Sequence, residues 1–237
     1  MTTRIFSLAV ALIFFQFNAF SIGVYQPGDE LFVHAGSGLL LRKTPTQKGE
    51  RILTLNASDA VTVLKTNFKK KPFSVVDFKG FRIRGFWVRV RTADGKEGYV
   101  FDGYLSKYRA PITIVDDSGS AYSTAEFYLL ANAEKQGERV VLPKGPNRYE
   151  HYKQLFKNGA AAEIDHGEGG SAQKIIFQKG ITLEEGYLIG KALWLKDMKL
   201  KSAISKGKIT VTSEDEAYQI EVSSLNGYTV LNMFIAD

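Results

Sequence analysis

Between residues 31 and 108 the chain consists of short apolar runs separated by Gly, Pro, Asn and Asp. Apolar and polar positions alternate in several of these runs, which is typical of strands with one buried and one exposed face. The strand-length runs cover residues 39–41, 52–55, 61–64, 87–90 and 98–100. Asp94-Gly95 lies between the last two runs and is a favoured hairpin turn, because both residues tolerate positive φ. The pattern predicts a small β-barrel of about five short strands.

The second half of the chain also favours strands. Extended, β-branched runs occupy residues 140–142, 174–177, 208–212, 218–222 and 228–231. The last three predict a meander, since Asn226-Gly227 is a strong hairpin signal. Thr182 and Glu185 have the spacing of a helix capping box, although Gly186 and Gly190 weaken that helix. Residues 123–136 suit either a helix or a strand, and the pattern leaves both open.

The amino terminus has the three-part pattern of a secretory signal peptide. Residues 1–4 carry a positive charge, residues 5–15 are apolar, and small and polar residues follow to Gly23. The apolar run of about eleven residues is shorter than the roughly 20 that cross a bilayer core. We therefore expect residues 1–23 to be cleaved, and the mature protein to be periplasmic or secreted without stable membrane insertion.

Two segments carry a resemblance to a known family. Residues 39–45 (LLLRKTP) resemble the opening signature of bacterial SH3-like (SH3b) domains, and residues 87–90 (WVRV) with 94–105 resemble the closing one. The resemblance covers residues 24–108, and residues 109–237 then form a β-rich (α+β) domain of unrecognised family. The predicted fold is mainly β: a small SH3-like barrel followed by this second domain.

The chain departs from the family pattern at two places. The glycine that the family places between its second and third strands is replaced by residues 56–59, which are still turn-forming. The connection over residues 67–86 is longer than usual and carries Lys69 to Lys71 together with Phe73, Phe78, Phe81, Arg82 and Arg84. This insertion is the first place to look for a special contact surface.

The resemblance implies binding to cell-wall peptides, glycan or a protein partner. The candidate ligand-binding residues are Trp87, Tyr99 and Tyr104, with Arg42 beside them, since aromatic rings offer flat apolar surface and a cation adds charge complementarity. The alternative is structural: Trp87 and Tyr99 fill the barrel, and Arg42 pairs with a nearby acid.

Catalysis has little support in the residues. The chain has no cysteine, which excludes disulfides, thiol nucleophiles and a lipid-anchored cysteine, and its three histidines form no H-E-x-x-H motif. Residues 165–170 predict a polar, glycine-rich turn, and Glu163 with Glu168 is the kind of carboxylate pair that any chain of this composition offers. We expect neither a metal nor a cofactor.

Charge adds one further possibility. The formal net charge is +6, and lysines 196, 199, 201, 206 and 208 form either a solvated face or a tether to anionic envelope polymer. Nucleic acid is implausible for an exported protein. The leading hypothesis is a non-enzymatic binding protein with a cell-wall polymer or envelope protein as partner. The alternatives are an envelope hydrolase with its active site in the second domain, and a structural protein whose barrel contacts only that domain.

Overall fold

The computed structural model describes residues 25–66, 72–78, 81–111, 114–115, 121–122, 124–195, 198–205 and 207–236. The predicted signal peptide, the lysines at 69–71 and the predicted loop at 116–120 lie outside the described residues. No helix in the described ranges has the length and hydropathy needed to span a bilayer.

The amino-terminal part of the chain forms nine short strands. They are β1 (Glu30–Val33), β2 (Leu39–Arg42), β3 (Arg51–Leu55), β4 (Ala60–Lys65), β5 (Phe73–Phe78), β6 (Phe81–Gly85), β7 (Trp87–Thr92), β8 (Glu97–Phe101) and β9 (Leu105–Ser106). Seven of them form an antiparallel sheet in the order β3-β2-β8-β7-β4-β1-β9, and β5 pairs with β6 as a separate hairpin.

The predicted mainly β class is confirmed, with one difference in the first sheet. Within the described part of the chain its edge strands β3 and β9 do not pair, so the ladder does not close into a barrel. Strand β9 has only two residues, which pair with β1, and β3 pairs with β2, so each of these strands forms an end of the sheet.

Alternation decides which side chains of this sheet are buried. Val61 and Val63 on β4 and Val88 and Val90 on β7 point into the core, where each is at most 1% exposed. The turn between β7 and β8 forms as predicted, with Gly95 at a φ of 82°. The period-two pattern therefore leaves the odd-numbered residues of β7 on the outer face.

The carboxy-terminal part forms a larger sheet with two helices. Its strands are β12 (Lys135–Val141), β13 (Arg148–Phe156), β14 (Ala161–Gly167), β15 (Gly170–Ile176), β16 (Leu200–Ser205), β17 (Lys208–Ser213), β18 (Tyr218–Leu225) and β19 (Tyr228–Ile235). The helices are α1 (Ala125–Leu130) and α2 (Leu183–Trp194), and a small pair, β10 (Ile114–Val115) and β11 (Ala121–Tyr122), precedes α1. The eight strands have the order β12-β13-β14-β15-β19-β18-β17-β16.

Helix α2 covers one face of this sheet at β17, β18 and β19. The predicted capping box is present, with Thr182 and Glu185 each accepting the other's backbone N–H. The two glycines expected to weaken the helix have a packing role, because a Cβ at Gly190 would stand 2.7 Å from the Leu231 side chain. Their absent side chains let the helix lie close to the sheet.

The segment at residues 123–136, for which the sequence leaves helix and strand open, contains a helix followed by the start of a strand. Residues 125–130 are helix α1, whereas Lys135 and Gln136 already belong to β12, where they pair with Phe156 and Leu155. The segment whose apolar spacing suits a helix extends to Gln136, but pairing with β13 makes Lys135 and Gln136 part of a strand. The predicted meander is confirmed, with β16 added at its edge.

The two sheets share one continuous core. Tyr108 follows β9, is 2% exposed, and contacts Phe177 and Tyr128 of the carboxy-terminal part at ring-centroid distances of 5.3 and 6.1 Å. Its hydroxyl accepts a hydrogen bond from the Asn158 side chain at 3.2 Å. The second sheet is therefore held against the first by buried aromatic packing.

Candidate functional site

The outer face of β2, β8 and β7 collects three of the four predicted binding residues. Arg42 lies opposite Tyr99, Tyr99 lies opposite Arg89, and Trp87 lies opposite Phe101 in the strand pairing. Directly opposed residues share a face, and so do residues two apart on one strand. Trp87 and Tyr99 are half-buried on this face, whereas their neighbours Val88 and Val100 fill the core.

Four aromatic rings are in contact on this face. Phe73 of the β5–β6 hairpin stacks on Trp87 with a centroid distance of 6.2 Å and meets Phe101 edge-on at 5.5 Å. Tyr104 meets Phe101 at 5.8 Å. Burial, with a contribution from the nearby Asp77 carboxylate, raises the pKa of Tyr104 to about 12, so its hydroxyl stays protonated at neutral pH.

Helix α2 binds the inserted hairpin through polar contacts. The Asp77 carboxylate accepts hydrogen bonds from the Tyr187 hydroxyl at 2.5 Å and from the Lys191 ammonium at 2.7 Å. Phe81 packs on the Tyr187 ring at 4.3 Å. The hairpin is thus fixed to the helix at one end and to Trp87 at the other.

A cavity of about 660 Å³ lies where these elements meet, within the usual size range of small-molecule sites. The amino-terminal part supplies most of its wall, and α2 supplies Leu188, Lys191 and Ala192. Its aromatic and charged or polar lining side chains are His34, Ser37, Arg42, Gln47, Phe73, Asp77, Trp87, Phe101, Tyr104 and Lys191.

The structure brings Arg42, Trp87 and Tyr104 to this one cavity and leaves Tyr99 outside its lining. Tyr99 nevertheless lies beside Arg42 on the same face. The Arg42 guanidinium donates to the Gly49 carbonyl at 2.7 Å, and no carboxylate of the described ranges forms an ion pair with it. This differs from the alternative in which Arg42 pairs with an acid.

His34 is a buried member of the lining. Its Nε2 lies 2.8 Å from the Tyr108 carbonyl oxygen, whereas its Nδ1 has no hydrogen-bond partner among the described residues. Burial lowers the pKa of His34 to about 4, so the ring is neutral at physiological pH. A neutral ring that donates from Nε2 leaves Nδ1 as an acceptor.

Two buried carboxyl groups, one in each part of the chain, lie outside the cavity lining. Asp102 accepts hydrogen bonds from the Tyr25 hydroxyl and the Phe86 backbone N–H, and burial raises its pKa to about 6. Glu185 accepts from the Thr182 backbone N–H at 2.8 Å, and burial raises its pKa to about 7. The negative charge on Asp102 also raises the pKa of Glu185, so the ionisation of the two groups is electrostatically coupled.

The residues considered for catalysis are dispersed in the carboxy-terminal sheet. His151 lies opposite Asp165 and His166 opposite Glu150, so strand alternation places the two imidazoles on opposite faces. Glu163 forms an ion pair with Lys174 at 3.0 Å, and its carboxylate lies 3.7 Å from His151 Nε2. Across the described ranges no three His, Asp or Glu side chains converge as metal ligands would.

Residues 165–170, predicted as a polar turn, are mostly strand. Asp165 to Gly167 end β14, Gly170 begins β15, and the turn itself is reduced to Glu168 and Gly169. Gly169 and Gly170 both have positive φ, and a Cβ on Gly170 would stand 2.1 Å from the Ile235 carbonyl oxygen. The glycines thus serve tight backbone packing.

Sequence reasoning identified only part of the cavity. The insertion that the sequence predicts as a contact surface supplies Phe73 and Asp77. Lys191 gave no signal, because its role depends on Asp77, 114 residues earlier in the chain. The sequence does not indicate Phe101, which follows the core residue Val100 on β8. Its role depends on the Phe73 and Tyr104 rings, and no local pattern shows that they contact it.

One comparison with known proteins gives a match. Residues 37–106 match the family described as Bacterial SH3 domain, so the resemblance is confirmed for this part of the chain. The match includes Arg42, Trp87, Tyr99 and Tyr104 and stops short of α2. No curated protein and no solved structure matches the chain.

Proposed function

We propose that this protein is exported and acts as a non-enzymatic binding protein, whose SH3 domain binds peptidoglycan or an envelope protein. The matched SH3 domain and the signal-peptide pattern of residues 1–23 support this proposal. The net charge of +6 favours association with the anionic polymers of a cell envelope.

The observation that carries the proposal is the aromatic face that opens on the cavity. Trp87 and Phe73 are in contact with each other and are connected through Phe101 to Tyr104. Arg42 brings a cation to the same cavity. Stacked rings beside a guanidinium bind sugar or peptide surfaces by dispersion and polar contacts together. Such a surface needs no reacting group, which agrees with a binding role.

Retention on purified peptidoglycan sacculi tests the proposal. Wild-type protein is mixed with sacculi at low salt, and the pelleted fraction is compared with that of Trp87→Ala. We expect the substitution to reduce the apparent affinity about 10-fold or more, because truncation of a central hot-spot aromatic residue costs about 2 kcal/mol or more.

Tyr228→Ala is the matched control, since Tyr228 is a half-buried ring of β19 in the carboxy-terminal sheet. Circular dichroism establishes that each variant is folded. A folded wild-type protein that neither pellets with sacculi nor captures an envelope protein would overturn the binding role. Clearing zones on a cell-wall zymogram would overturn the non-enzymatic part and support the hydrolase alternative.

A further inference from the structure

The cavity is a composite of the matched SH3 domain and a helix outside it. Its aromatic wall comes from Trp87, Phe73 and Tyr104, while Leu188, Lys191 and Ala192 of α2 line it from the carboxy-terminal part. Contacts between α2 and the β5–β6 hairpin, through Asp77 and Tyr187, keep that second wall in place. A ligand in this cavity therefore touches both parts of the chain.

Charge in the lining is unbalanced at one point. Asp77 and Lys191 compensate one another at 2.7 Å. Arg42 uses one terminal nitrogen on the Gly49 carbonyl, and no described carboxylate pairs with it. Because a guanidinium has five N–H donors in a planar fork, it retains donors suited to a carboxylate.

The remaining lining suits a short peptide. Leu39, Val75 and Leu188 add aliphatic surface beside the rings, and residues 35–38 bring a turn of peptide groups to the wall together with the Gln47 carboxamide. The cavity volume of about 660 Å³ accommodates a small ligand or a chain end and is too small for a folded partner.

We infer that this cavity binds the carboxyl-terminal end of a short peptide, with the carboxylate on Arg42, aliphatic side chains against the aromatic wall, and α2 as the opposite wall. The inference rests on the proposed function and adds the ligand class and the role of α2. Wall stem peptides and protein carboxyl termini share this chemistry, and they differ in the handedness of their residues.

Calorimetric titration with matched probes tests the carboxylate. The probes are N-acetyl-dialanine and its carboxamide, each in the D,D and L,L forms. A charge-assisted hydrogen bond contributes about 1.5–3 kcal/mol, so we expect the full-length wild type to prefer acid over amide by about 10- to 100-fold. A preference for the D,D acid identifies a wall peptide as the source, and a preference for the L,L acid a protein terminus.

Arg42→Gln should remove most of this preference while leaving binding of the amide intact, which also shows that the variant is folded. Arg91→Gln is the matched control, because Arg91 lies outside the cavity lining and pairs with Glu97 at 2.7 Å. An unchanged acid preference in Arg42→Gln overturns the inference.

Ala192→Phe tests the wall that α2 provides. A phenyl group at this half-buried lining position takes up cavity space, so binding of the acid probe should fall about 10-fold or more, while Ala131→Phe, at an exposed position after α1, should have no effect. Equal binding by both variants overturns the composite site.

The sacculus and probe experiments together distinguish this inference from the proposed function. If wild type is retained on sacculi but binds no probe, the inference is overturned and the proposed function stands. If wild type is neither retained on sacculi nor binds a probe, the inference and the proposed function are both overturned.

Discussion

The two sheets of this protein both carry cross-strand ion pairs, such as Arg91 with Glu97 on the amino-terminal sheet, but they differ in the side chains that face the cavity. On the amino-terminal sheet, Trp87 and Tyr104 face a cavity, together with Arg42, for which no described carboxylate is a partner. On the carboxy-terminal sheet, charged side chains compensate each other across strands, as Glu163 does with Lys174. Surface pairs of this kind contribute little stability.

The carboxy-terminal sheet contributes to the cavity through the helix that it positions there. Its most chemically suggestive residues, His151 and His166, are on opposite faces. What it supplies to the site is α2, held by a capping box and by glycines that allow close packing. The carboxy-terminal part, which lies outside the residues that match the SH3 family, thus supplies one wall of the cavity.

The largest expected effect comes from breaking the core that joins the two sheets. Tyr108→Ala removes a ring that is 2% exposed and contacts Phe177 and Tyr128. Truncating a large buried aromatic side chain typically costs about 3–5 kcal/mol. Urea denaturation should show this loss in the free energy of unfolding.

The control for this experiment is Tyr228→Ala, which should cost much less because that ring is only half-buried. If both substitutions have the same small effect, the shared core does not couple the sheets. In that case the two parts of the chain are to be treated as independent domains.

The next effect concerns the two buried acids. Burial raises the pKa of Glu185 from 4.5 to about 7 and that of Asp102 from 3.8 to about 6, so the folded protein binds these protons more tightly than the unfolded chain. Their contribution to stability is complete below about pH 4 and is lost as pH rises through 6 to 7. For Glu185 the loss is on the order of 3 kcal/mol.

Denaturation midpoints measured between pH 5 and pH 8 check this prediction. Glu185→Gln keeps an acceptor for the Thr182 backbone N–H while removing the ionisation. The variant should show a flatter pH profile over this range than the wild type. Parallel profiles for the two proteins would contradict the assignment of the pH dependence to this carboxyl group.

The smallest expected effect comes from removing the N-cap of each helix in turn. Thr182→Ala removes the N-cap of α2 and should cost about 1 kcal/mol of stability. It should also weaken binding at the cavity, because it destabilises the helix that carries the lining residues Leu188, Lys191 and Ala192. Thr124→Ala removes the N-cap of α1, which the cavity does not use. Titration of both variants with sacculi should show weaker binding only for Thr182→Ala.

Much of the fold follows from local signals. Alternation identified the strands around Val61 and Trp87, and Asn226-Gly227 marked a turn in which both residues have positive φ. Strand β13 gave no such signal, because Tyr149, Glu150 and Leu155 are exposed and break the pattern of apolar alternation. Its place is decided by pairing with β12 and β14 on either side.

The candidate site divides in the same manner. The family resemblance singled out Arg42, Trp87 and Tyr104, and the structure brings them to one cavity. It also singled out Tyr99, which the sheet places beside Arg42 but outside that cavity. No local pattern indicated Lys191, whose role depends on the Asp77 carboxylate of a distant hairpin.

The sequence alone therefore determined the β class, the SH3 segment, the capped helix and the type of side chains that face outward, since these depend on neighbours a few residues apart. Tertiary structure alone decided that the first sheet stays open, that the two sheets share a core, and that α2 faces the aromatic wall. These features depend on which surfaces meet across long separations in the chain, and a shared core forms only when both apolar faces are present to bury one another.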